Sequence, residues 1–76
     1  MSVLIEFHMD TSTGNEIKTI NSPFDDRAKA ADKIKSLLEK ASNSSSPMMK
    51  VRDSNTGDYV FVHTMKLANV VIRNDK

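Results

Sequence analysis

Seventy-six residues, no cysteine, 38% hydrophobic residues and a formal net charge of +1 bound what this chain can be. A chain of that length makes one domain, 1–76, whose core is no thicker than one helix on one sheet. Disulfide staples and thiolate metal sites are excluded, and the near-neutral, interspersed charge suits neither a dedicated duplex-DNA binder nor a disordered polyelectrolyte.

The chain opens Met1-Ser2-Val3-Leu4-Ile5-Glu6, with no basic n-region and no long apolar stretch. No signal peptide and no membrane span are expected, which suggests the cytoplasm. Residues 2–9 then alternate. Val3, Ile5, Phe7 and Met9 share one face, and Leu4, Glu6 and His8 the other, the period-two signature of a half-buried strand. Asp10-Thr11-Ser12-Thr13-Gly14-Asn15 is a turn cluster, and Glu16–Ile20 reads as a second strand. Thr-Gly suits a type I turn with glycine at a left-handed bulge. That three-residue loop pairs Met9 with Ile17 and His8 with Lys18, which places Ile17 and Thr19 on the Val3 face.

Ser22-Pro23-Phe24-Asp25 reads as a helix start, with serine as N-cap and proline at the first helical position. The apolar stripe Phe24, Ala28, Ala31, Ile34, Leu38, Ala41, with Leu37 beside it, predicts an amphipathic helix. Residues 42–47 form a polar, serine-rich linker ending in Pro47. Three more strands follow: Met48–Asp53, Tyr59–His63 after a second Thr-Gly turn, and Leu67–Arg73 after a short connection. The expected fold is α+β, in the order ββαβββ, an antiparallel sheet with one amphipathic helix packed on one face.

Strand 59–63 carries the functional signal. Tyr59 and Phe61 point one way, Val60 and Val62 the other, yet one helix covers only one face of a small sheet. Which pair is left outside depends on the hairpin. A four-residue loop pairs Arg52 with Tyr59 and Lys50 with Phe61, and leaves Met48, Lys50, Arg52, Tyr59, Phe61 and His63 outside. A three-residue loop with a glycine bulge puts Val60 and Val62 outside beside Lys50 and Arg52. The Thr-Gly turn favours the bulged form. Either register leaves an apolar patch next to Lys50 and Arg52, and exposed patches mark interaction surfaces.

The candidate binding residues are therefore Lys50, Arg52, Tyr59, Val60, Phe61, Val62 and His63. The expected function is that of a non-enzymatic binding or regulatory module, acting as a homodimer or on a protein partner through the open face or edge of its sheet. The first alternative is single-stranded nucleic-acid binding, by aromatic stacking and phosphate contacts. The second is a small ligand held between subunits. No cofactor, metal or membrane partner is expected. His8 and His63 lack a third ligand, and Asp10-x-Ser12-x-Gly14 and Asp53-x-Asn55-x-Gly57 lack the length and terminal glutamate of a calcium loop. No catalytic residues are expected: Asp25 and Asp26 suit a helix start, and both glycines lie in turns, so no phosphate-cradling loop is present.

Overall fold

The structure, a computed structural model, describes residues 3–43 and 47–74. The elements run β1 (Val3–Thr11), β2 (Gly14–Ser22), α1 (Arg27–Ser42), β3 (Met48–Arg52), β4 (Tyr59–His63), a short 3-10 turn (Thr64–Lys66) and β5 (Leu67–Asn74). Order and class are those expected, with every strand pair antiparallel. The strands divide between two sheets, β2-β1-β5 and β3-β4. Half of the polar linker, residues 44–46, lies outside the described residues.

The first hairpin corrects one expectation. Thr11 pairs with Gly14 across a two-residue loop, so Met9 faces Glu16 and His8 faces Ile17. The slip of one residue moves Ile17 and Thr19 to the outer face and brings Ile20 and Ser22 inside. Ile17 and Ile20 are three apart, so one strand cannot turn both inward. The observed register chooses Ile20, which lines up with Ile5 and Ile72 in a row across the sheet. Gly14, with φ of 130°, sits beside the loop and not in a bulge within it.

The helix also begins later than expected. Ser22 is taken up by β2 as the partner of Val3, and its Oγ accepts the Phe24 N–H at 3.0 Å. Asp26 is the N-cap instead, accepting the Ala28 N–H at 2.8 Å. The buried stripe is accordingly Ala30, Ile34 and Ala41, with Leu37 and Leu38 half-buried, while Ala28 and Ala31 face solvent.

One core results. Val3, Ile5, Phe7 and Met9 of β1 pack with Ala30 and Ile34 of α1 and with Met49, Val51 and Val62 of the β3–β4 hairpin. Helix and hairpin together thus cover the inner face of the three-stranded sheet. Met9 and Met49 fill this core, whereas Met48 and Met65 are exposed.

Candidate functional site: the outer face of the second hairpin

The β3–β4 pairing settles the register of the second hairpin. Arg52 faces Tyr59, Val51 faces Val60, Lys50 faces Phe61, Met49 faces Val62 and Met48 faces His63. The loop is the four-residue form, not the bulged form that Thr-Gly favours. Its cause is Asp53. The Asp53 N–H donates to the Asp58 carbonyl at 2.9 Å, and the Gly57 N–H donates to the Asp53 carbonyl at 2.8 Å. The Asp53 carboxylate accepts the N–H groups of Asn55 (2.8 Å) and Thr56 (3.1 Å), an Asx-type turn that fixes the loop from within. Gly57 supplies the one left-handed residue the turn requires, at φ 79°.

Asp53 also joins the two sheets. Its Oδ2 accepts the backbone N–H of Asn21 at 3.2 Å and the Asn21 side-chain amide at 3.3 Å, while the Ser54 N–H donates to the Asn21 carbonyl at 2.8 Å. The bond from the Thr56 N–H outweighs burial and, with those from Asn55 and Asn21, holds the Asp53 carboxyl below its ordinary value of 3.8.

Alternate residues of the hairpin separate cleanly. Met49, Val51 and Val62 are buried against the core and Val60 packs beside them, so Val60 and Val62 do not belong to the candidate surface. The outer face holds Met48, Lys50 and Arg52 on β3, and Tyr59, Phe61 and His63 on β4. Tyr59 and Phe61 are 59% and 56% exposed, where an ordinary solvent face would be polar. Lys50 lies opposite Phe61 and reaches diagonally, its Nζ 5.0 Å from the centre of the Tyr59 ring. His63 is half-buried, and its Nδ1 has no hydrogen-bond partner among the described residues.

The face therefore carries two cations, two open rings and a methionine, and none of its six residues is acidic. Neither Lys50 nor Arg52 is ion-paired with a described residue. By contrast, the outer face of the three-stranded sheet is charge-balanced. Glu6, at its centre, takes Arg73 at 2.8 Å and His8 at 3.2 Å. Arg73 thus does not extend the basic surface of the hairpin. Among the described residues no group of three His, Cys, Asp or Glu side chains is placed to hold a metal, and no helix is long and apolar enough to cross a membrane. Comparison with protein-family models, curated proteins and solved structures found no match.

Proposed function

We propose that the protein is a non-enzymatic binding module whose partner, a protein with an acidic and apolar surface, docks on the outer face of the β3–β4 hairpin. The observation that carries this reading is the register, which sets Lys50 against Phe61 and Arg52 against Tyr59 with no carboxylate among them. Removing the two exposed rings and Met48 from water favours association at about 25 cal/mol per Å². The unpaired cations fix the sign of the partner, since complementary charge steers encounter and like charge repels.

That same sign disfavours self-association through this face. A two-fold dimer built on it would bring Lys50 and Arg52 against their own copies. A homodimer is better served by the outer face of the three-stranded sheet, where Leu4, Ile17 and Val71 lie among charges of both signs.

The register also favours a second reading. Two open aromatic rings beside two cations on a sheet suit single-stranded nucleic acid, with bases on the rings and phosphates on Lys50 and Arg52. Size-exclusion chromatography with light scattering and dual-wavelength absorbance separates the readings. The samples are wild type and a Tyr59→Ala/Phe61→Ala variant, each purified from cells at low salt. A protein complex that the double variant loses supports the first reading. Excess ultraviolet absorbance that it loses supports the second. A wild type that elutes alone, as the variant does, refutes both.

A further inference from the structure

The division into two sheets leaves a seam. The Asn21–Asp53 contact pins the ends of β2 and β3 together, yet the two strands are not ladder partners. Where they part, a cleft of about 250 Å³ opens between β2, the Pro23–Phe24 bend, α1 and β3. Ile5, Ile20, Phe24, Ile34, Leu37 and Val51 make its walls apolar. The remaining lining is Pro23, Ser22 and three cations, Lys33, Lys50 and Arg52, with no carboxylate.

Several donors border this apolar space. Ser22 is 4% exposed, and its hydroxyl accepts from the Phe24 N–H, which leaves its own proton to donate. Antiparallel alternation sends the Asp53 N–H toward β4 and the N–H and C=O groups of Lys50 and Arg52 toward the opposite edge of β3, which borders the cleft and offers both donors and acceptors. Lys50 rests its ammonium over Tyr59 and Arg52 lays its guanidinium beside Gly57. Of these three cations, Lys33, exposed on α1, is the one set neither over a ring nor beside the turn, and it has no ion pair among the described residues. Apolar walls select a hydrocarbon group, and Lys33 at the mouth, with no carboxylate in the lining, selects an anion. The volume falls below the roughly 300–1,000 Å³ of drug-sized ligand sites, so the hydrocarbon is small.

We propose that this seam binds small apolar acids, a carboxylate carried on a single aromatic ring or a short aliphatic chain, separately from docking on the hairpin face. The hydrocarbon enters between Ile20 and Leu37, and the carboxylate stays at the mouth beside Lys33 and the edge of β3.

The test is an NMR titration of the isotope-labelled full chain with phenylacetate at low ionic strength, repeated with phenylacetamide and phenethylamine. Phenylacetate is expected to shift the methyl signals of Ile5, Ile20 and Ile34 saturably, with a Kd of about 1 mM or below. The neutral amide binds about 10-fold more weakly, the amine not at all, and added salt weakens the acid. Lys33→Glu, at an exposed site, keeps the fold and lowers phenylacetate affinity about 10-fold. Tyr59→Ala/Phe61→Ala leaves that affinity unchanged, so hairpin docking and seam binding stand or fall separately. Acid and amide binding equally, shifts that never saturate, or a loss seen only in the Tyr59/Phe61 variant would each overturn the assignment.

Discussion

Replacing Ile20 or Ile17 with threonine puts the first hairpin to a quantitative test. Ile20 is 3% exposed and faces Ile5 across the inner side of the sheet. Ile20→Thr removes two carbons from the buried apolar surface, about 1.6 kcal/mol. It also places a hydroxyl among Ile5, Ile34 and their neighbours, at about 1–3 kcal/mol where no partner is found. The expected loss is about 3–5 kcal/mol. Ile17→Thr makes the same chemical change where the side chain is 56% exposed and the hydroxyl stays wet. Its expected cost is about 0.5 kcal/mol or less. A domain of this size loses roughly 4–8 °C in melting temperature per kcal/mol, so the two variants should separate by about 10 °C or more. Thermal and urea unfolding followed by circular dichroism measure both. The three-residue loop suggested by sequence predicts the reverse order, with Ile17 inside. If Ile17→Thr proves as costly as Ile20→Thr, the pairing of Ile5 with Ile20 is wrong, and so is every side-chain assignment in β2.

Two further outcomes bear on the turn that shapes the candidate face. Gly57→Ala should cost about 1–2 kcal/mol, because φ is 79° while the added Cβ would meet Arg52 Nη2 at an unstrained 3.5 Å. An unchanged urea midpoint would show that the turn does not need glycine. Asp53 makes stability depend on acid. Its folded carboxyl titrates below the unfolded value of 3.8, so its contribution is complete above that value and is lost as pH falls through the folded one. Asp53→Asn should therefore flatten the fall in urea midpoint between about pH 5 and 2. An acid limb as steep as that of wild type would place the pH dependence elsewhere.

The order of elements was legible because each carries its own period. Val3–Met9 alternates over its whole length, and α1 repeats apolar residues at helical spacing. Registers and caps were less so, since two local signals compete and distant contacts decide. Ser22 and Asp26 both suit an N-cap, and pairing with Val3 claims the serine for β2. Thr-Gly occurs in both turns, yet neither forms the bulged loop. At the second, Asp53 fixes the loop from within as an Asx-type turn, but Asp10 stands at the same spacing before Gly14, so the pattern alone does not separate the two registers. The candidate face was half-legible. Alternation divided Tyr59 and Phe61 from Val60 and Val62, but only that turn says which pair meets solvent. The seam had no local signal at all. It exists because β3 pairs with β4 alone and meets β2 through Asn21 and Asp53, 32 positions apart.

β1 is the central strand of its sheet, and its two neighbours are synthesised far apart in time. β2 follows at once, whereas β5, paired from Val3↔Asn74 to Met9↔Leu67, is made after every other element described. Until β5 arrives, one edge of β1 is open, and Val70 and Ile72 are missing from beside Phe7 and Ile5. A two-stranded hairpin is marginal in water, and an open apolar edge can take the equivalent strand of another nascent chain. Closing the sheet is late in synthesis and non-local in any chain, since β1 must find β5 across the whole sequence, so refolding yield should fall as concentration rises even though the finished fold leaves β1 no free edge.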